Sequence, residues 1–329
     1  MSVTSVSADG ARARARARRR LQRIDRVGER SLRALCVLAA AVTVVTIVVI
    51  GYQVLHGASA AISKTGLGFL VHGAWRPNFD VFGATVPLYG TAVSSAMALV
   101  LAMPIGIAVG LYLSLLAPAG VRGVMGPLVE MLAAIPSVIL GFWGIVVLAP
   151  LLHTHVEPWL HATFGFLPIF GPAATTGSSL FTAGLILTIM VVPIVASLSR
   201  DLFNTVPREL QDGAAALGAT RWEVVRGVVL PSTASGIAAA GCLGLGRALG
   251  EAIAVTQVIG AATSVHVSLF GTGETLASRI ANQFQSPASR LHTSAMFYLA
   301  VLLLAIGLVT NLLAQWIGRR FDVRRTVGG

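Results

Sequence analysis

Charge is scarce in this sequence, and what there is has an uneven kind. Charged residues make up 11% of its 329 residues, against about 25% in soluble domains. Lys64 is the only lysine; every other basic residue is an arginine. There are two cysteines, Cys36 and Cys242, each inside an apolar stretch. That number excludes a disulfide framework, and the pair reads as buried, inert thiols. The seven histidines are scattered, and His153 and His155 are two apart, so they do not share a helix face. With no H-E-x-x-H pattern, no metal site is expected. Nor is there a G-x-x-x-x-G-K-[ST] loop: Ser63-Lys64-Thr65-Gly66 lacks the glycine frame. The chain is therefore expected to hydrolyse no ATP and to carry no cofactor. No nucleophile–base constellation points to an intramembrane enzyme. The run Arg12, Arg14, Arg16, Arg18, Arg19, Arg20 has no interleaved aromatic residues. A stacking platform for bases is absent, so the run reads as an anchor on anionic lipid heads and not as a nucleic-acid arm.

What is present is apolar. Hydrophobic residues make up 55% of the chain, and the mean hydropathy is +0.80. The reading is an all-α membrane protein with six transmembrane helices, at about Leu32–Tyr52, Val86–Leu116, Leu128–Leu152, Leu180–Leu198, Thr233–Ala262 and Ser294–Ile317. Residues 1–30 read as a basic, disordered tail, 31–318 as the membrane domain and 319–329 as a second tail. With the N-terminus inside, nineteen of the 24 basic residues fall on inside segments and four on outside loops; Arg247 is intramembrane. Both termini are thus expected in the cytoplasm. Ala58-Ser59-Ala60 after an apolar stretch looks somewhat like a signal-peptide cleavage site, but the stretch is at the upper length limit, and the first span is expected to be retained. Of the outside loops, 263–293 holds Leu276, Ile280 and Phe284 at four-residue spacing, which predicts a short amphipathic helix acting as a lid or a docking surface.

Arg247 and Glu251 stand four residues apart in the glycine-rich fifth segment, on one face if the segment is one helix. A charge near the bilayer centre costs about 2.5–3.5 kcal/mol on insertion scales. Two charges kept there point to an anion pathway. A purely structural ion pair is the competing reading. Gly236, Ala240, Gly244 and Ala248 form a small-residue face that suits close packing, within the chain or against a second one.

The inside connection at about 204–226 is the second signal. Pro207 suits the start of a helix, Leu210–Leu217 reads as a short helix, and Gly218 is placed to end it in the left-handed conformation. Thr220-Arg221-Trp222-Glu223 fits a capping box that opens another helix.

The run Asp212-Gly213-Ala214-Ala215-Ala216-Leu217-Gly218, followed by Val228-Val229-Leu230-Pro231, resembles the EAA motif of ATP-binding-cassette importer permeases. It departs at Asp212, where the motif has Glu, and at Gly213, where it has Ala. More widely, Gly90-Thr91, Leu132–Ser137, Gly141-Phe142-Trp143-Gly144, Thr220–Val224 and Leu243–Glu251 are similar to PstC-type permeases of phosphate import. The resemblance covers roughly Val81–Phe284 and implies the type I importer permease architecture. It implies a prokaryotic inner-membrane subunit that forms a phosphate pathway with a PstA-like sister permease. Arg247 and Glu251 would line the pathway, and Asp212, Gly213, Ala214 and Gly218 would couple it to a separate ATPase dimer that uses ATP and magnesium. A soluble phosphate-binding protein would deliver the substrate from outside, with membrane lipid around the subunit. The alternatives are a permease for another oxyanion, sulfate or molybdate, and a self-sufficient secondary anion transporter.

Overall fold

The computed structural model describes residues 4–172 and 177–320, with backbone alone for 4–28, 30 and 317–320. The side chains of the Arg12–Arg20 run and the tail from residue 321 lie outside the described residues. Among the described residues all regular structure is helical, apart from one bridge between Arg76 and Val81. Six helices are long and apolar enough to cross a membrane: Ser31–Thr65, Thr85–Leu116, Ser137–Phe164, Leu180–Asn204, Arg221–Gly250 and Arg290–Trp316.

The first of these belongs to a helix running Thr4–Thr65. The segment read as a disordered tail has a helical backbone there, in keeping with the helix propensity of alanine and arginine. Residues up to His56 form one compact unit and those from Gly57 onward another. In the first unit the apolar side chains from Leu32 to Tyr52 are exposed all round, Cys36 among them. Cys36 is therefore exposed and not buried as expected.

The second unit is built around the fourth span. Ala98 and Ala102 of the second span, Ile186, Leu187, Val191 and Val195 of the fourth, and Ala248 of the fifth meet in one core. The small-residue face of the fifth span packs inside the chain: a methyl on Gly236 would stand 2.5 Å from Leu202, and one on Gly244 2.6 Å from Val191.

Four prolines coincide with a widening of the helix before them, whereas Pro104, Pro127 and Pro193 sit inside α-helices without one. Wide π-helical turns cover Tyr112–Leu116, Gly144–Leu148, Leu152–Val156 and Val225–Val229. Each ends two residues before a proline: Pro118, Pro150, Pro158 and Pro231. A proline ring lacks the N–H and collides with the carbonyl four residues back. A wider turn at that carbonyl removes the collision and lets the last three helices continue.

Two expected boundaries change. The third span does not begin at Leu128. Residues Ala119–Ala133 form a separate helix, and the span starts at Ser137, after Pro136. The residue before a proline is disfavoured in helical conformation, and Ile135-Pro136 breaks the chain there. The fifth segment is not one helix to Ala262. It begins at Arg221, ends at Gly250, and resumes as a short helix, Ile253–Val258.

Glycines place that short helix. A methyl on Gly141 would stand 2.8 Å from Ala254 Cα, and one on Gly144 2.9 Å from Val258 and Ile186. At Gly90 a methyl would meet the Glu274 carbonyl oxygen at 2.1 Å, and Thr91 Oγ1 accepts from the Leu276 amide at 2.9 Å. Gly90→Ala should therefore cost about 1–3 kcal/mol through forced displacement of backbone. Gly123, in the helix Ala119–Ala133, has nothing within 4 Å. Gly123→Ala should leave stability unchanged or raise it by up to about 1 kcal/mol. Thermal unfolding of the two purified variants in detergent, side by side, measures the difference.

Candidate functional site

The fifth span stops where the sequence places its two charges. Arg247 lies in the last turn, and Glu251 has left the helix with extended backbone, φ −73° and ψ 116°. The two do not share a helix face as expected, yet they still meet, with Arg247 Nη2 3.5 Å from Glu251 Oε2. Their surroundings differ. The Glu251 side chain is 5% exposed and that of Arg247 46%. Glu251 Oε1 accepts from the Ala254 amide at 3.1 Å, which satisfies one free N–H at the start of the resumed helix. Glu251 is thus fixed by the break itself, while the guanidinium beside it keeps donors free. Charge-assisted N–H···O bonds run about 2.7–2.9 Å, so this contact is an open ion pair.

Arg247 lines a groove of about 850 Å³ between the fifth and sixth spans. Its walls are Ile194, Ala239, Leu243 and Ala314, with polar groups at Thr310, Asn311 and Gln315, and Cys242 also borders it. The polar residues of the sixth span escaped the sequence reading. Thr-Asn and Gln inside an otherwise apolar span were the signal that could have found them.

The segment 204–226 has the expected form. The short helix covers Arg208–Ala216, with Pro207 just before it. Gly218 follows with φ +90°. Thr220 and Glu223 make both bonds of the capping box. The helix they open is the fifth span itself, through the π-turn ahead of Pro231. Asp212 and Gly213 are exposed, and Ala214 packs against the small core that contains Phe203, Val206 and Val224. Leu217 is 92% exposed, and Leu210 and Trp222 are also exposed. Glu130, in the helix Ala119–Ala133, accepts from Arg200 near the end of the fourth span, 2.8 Å away.

A second charged pair lies where an outer loop was expected. The helix Leu276–Gln283 forms, but it is inserted as a lid: Leu276 packs among Phe69, Trp75, Phe82, Tyr298 and Leu299. Arg279 is buried with it, paired with Glu274, its guanidinium carbon 4.6 Å from the centre of the Trp75 ring. Its Nη2 also donates to the Ala262 carbonyl at 3.2 Å. Burial raises the Glu274 carboxyl above its ordinary range, and Arg279 partly opposes this. Among the described residues no group of three or more His, Cys, Asp or Glu side chains is gathered to hold a metal ion.

These features can be set beside known proteins. The family model for the binding-protein-dependent transport system inner membrane component matches residues 102–323. The phosphate transport system permease protein PstC of Pasteurella multocida is 42% identical over 82% of this chain and 85% of its own length. The chain belongs to this permease family, in its PstC-type branch. PstC of Mesorhizobium japonicum is 40% identical over 84% of this chain and 85% of its own. That of Haemophilus influenzae is 41% identical over 79% and 83%. Two solved structures share the fold. A chain of a bacterial alginate ABC transporter, in complex with an alginate pentasaccharide-bound periplasmic protein, has a TM-score of 0.59 at 17% identity, over 88% of this chain and 95% of that one. A chain of the inward-facing MetNI methionine ABC transporter has a TM-score of 0.52 at 20% identity, over 72% and 96%. At such identities the likeness is one of fold: the type I importer permease architecture, in a multi-pass membrane protein.

The buried pair makes a prediction. Arg279→Met leaves Glu274 buried without its cation and should cost about 3–5 kcal/mol. With the opposing charge gone, the Glu274 pKa moves further up. A raised carboxylate pKa favours the folded state at acid pH and less so as pH rises through it. The variant should therefore melt highest at acid pH and lose stability towards neutrality, more steeply than the parent. Thermal unfolding in detergent across pH reads this, and Glu274→Leu added to Arg279→Met should remove the slope.

Proposed function

We propose that this chain is one permease subunit of an ATP-driven phosphate importer in a prokaryotic inner membrane, with both termini in the cytoplasm. The observation that carries the reading is Arg247: a half-exposed guanidinium, loosely paired at a break in a membrane helix, on a groove, in a chain related to proteins named as phosphate transport permeases. Phosphate carries between one and two negative charges near neutral pH. A guanidinium holds two of its oxygens in one planar fork. Glu251 lowers the cost of the cation when no anion is bound, and it repels a bound anion, which helps release. Because the break fixes Glu251, Arg247 is the partner that moves between carboxylate and phosphate. Discontinuous helices place such groups at depth in other transporter folds.

No ATP-binding loop is present in the sequence, so the reading requires a separate ATPase dimer using ATP and magnesium, with no cofactor in this chain. The exposed knob of Leu210, Asp212, Gly213, Leu217 and Trp222 suits its docking. A PstA-like sister permease would close the pathway, lipid would cover the exposed apolar surface, and a soluble phosphate-binding protein would deliver substrate on the opposite side.

Two tests follow from this reading. Gly218 has open space around it, so its requirement is the left-handed backbone alone. Gly218→Val should leave insertion intact but separate ATP hydrolysis from phosphate uptake, while Gly218→Asn, which tolerates that backbone, should keep more coupling. Normal uptake with normal ATPase stimulation in the valine variant counts against the coupling role.

For the pathway, Arg247→Gln should abolish or severely reduce uptake in a transporter that still assembles, and Arg247→Lys should restore only part of it. A charge swap between 247 and 251 is not diagnostic, because arginine at 251 cannot accept from the Ala254 amide. Glu251→Gln keeps that acceptor and removes only the charge. It should change uptake without lowering the melting temperature by more than a few degrees. Wild-type uptake by assembled Arg247→Gln transporter would overturn the substrate role.

A further inference from the structure

We infer that Asn311 and Gln315 of the sixth span are oxyanion contacts on the pathway, beyond Arg247; the inference rests on the substrate reading of Arg247. Gly307, Asn311 and Gln315 recur at four-residue steps and border one groove with Arg247, so they follow one another along one helix face at about 6 Å per step. Successive spans cross in opposite directions. The Arg247 end of the fifth-span wall therefore faces the Gly307 end of the sixth, and Gln315 lies towards Ala239. From Arg247 the amides lead towards the end of the bundle that carries the Arg208–Ala216 helix.

Both amides are exposed to the groove and have no hydrogen-bond partner among the described residues. A polar group without a partner in hydrocarbon costs several kcal/mol. Asn311, well inside the span, carries that cost and calls for a polar occupant; Gln315, one turn on and near the end of the span before Trp316, continues the same polar line along the groove that Arg247 borders. Amides also suit the task. A guanidinium holds an anion tightly, whereas conduction needs several weaker sites beyond the first. Each amide offers two N–H donors to phosphate oxygens and a carbonyl acceptor. Inorganic phosphate near neutral pH keeps at least one P–OH to donate to that carbonyl. Sulfate has none, and would leave it unpaired. A site that binds a substrate hydroxyl discriminates strongly against an analogue without it. Asn311 and Gln315 thus conduct phosphate and reject sulfate, a role distinct from the charge of Arg247.

The test uses the assembled transporter in proteoliposomes, with radiolabelled phosphate uptake read for Asn311→Leu, Gln315→Leu, Asn311→Asp and Arg247→Gln. Loss of one useful hydrogen bond of about 1.4 kcal/mol is a tenfold effect. Each leucine variant should lose about tenfold or more of its uptake rate. Asn311→Asp, which adds a negative charge on the route, should lose more. Competition by sulfate should rise in the leucine variants. Cys242, which borders the same groove, gives a second reading in the otherwise native chain with Cys36→Ser. A membrane-impermeant anionic methanethiosulfonate should modify it, and inorganic phosphate should slow the reaction. Leucine variants that assemble and transport at the parent rate, while Arg247→Gln does not, overturn this inference and leave the arginine reading intact. Uptake retained by Arg247→Gln overturns both. Should the leucine variants fail to assemble, Cys242 decides: no modification means that protein or lipid covers the groove, which overturns the inference, and modification slowed by phosphate supports it.

Discussion

A backbone that leaves helical form inside a membrane has no water to turn to, so its freed N–H and C=O groups must find partners within the protein. Around Gly250–Ala252 three bonds meet this condition, one at the break and two at the far end of the short helix that follows it. Glu251 accepts from the Ala254 amide, the Ser179 amide donates to the Val258 carbonyl, and the Gly273 amide donates to that of Ile259. The short helix between these anchors is buried because Gly141 and Gly144 let it lie directly against the third span. Much of what is distinctive in the second unit follows from holding this interruption in place.

The lid helix serves the same end from the other side. Its preceding residues lie against Gly90, and the Thr91 hydroxyl receives the Leu276 amide. Arg279 reaches back to the Ala262 carbonyl, four residues past the end of the interrupted segment. A buried ion pair is weak evidence for net stability, but here it holds the arginine that joins the lid to the Ala262 carbonyl and to Trp75. The carboxylate at the break and the carboxylate of the lid differ in kind. Glu251 faces a cation that is half open to the groove, and Glu274 faces one that is closed off.

The six spans were legible because their apolar runs are long, and the 204–226 segment because its proline, glycine and capping box each carry a local geometric meaning. The capping-box pair Thr220 and Glu223 and the left-handed Gly218 needed no tertiary knowledge. The break before Glu251 was not legible. Gly250 is a helix-weakening residue, but in a segment whose other glycines, at 236, 241, 244 and 246, continue the helix it does not stand out; the contacts that seat the resumed helix, at Gly141 and Gly144, come from more than a hundred residues away. The burial of Arg279 was hidden for a similar reason: the spacing marked Leu276 and Ile280 as an apolar face, with Phe284 left exposed just past the helix, but Trp75, far away in sequence, covers Arg279 as well. Leu128–Ala133 is apolar enough to read as the start of the third span, and only Ile135-Pro136 separates the two helices.

The wide turns before the prolines have a consequence for the geometry of the third span. Each amounts to one residue inserted into an ideal helix, and one residue corresponds to about 100° of rotation. The span contains two, at Gly144–Leu148 and Leu152–Val156. Its far end, with buried Glu157, is therefore turned by about 200° relative to the register that Gly141 sets. A helical wheel drawn through the whole span would assign Glu157 to the wrong side. The inward stripe of this helix spirals, and homologous positions along it correspond only when the prolines are kept in step.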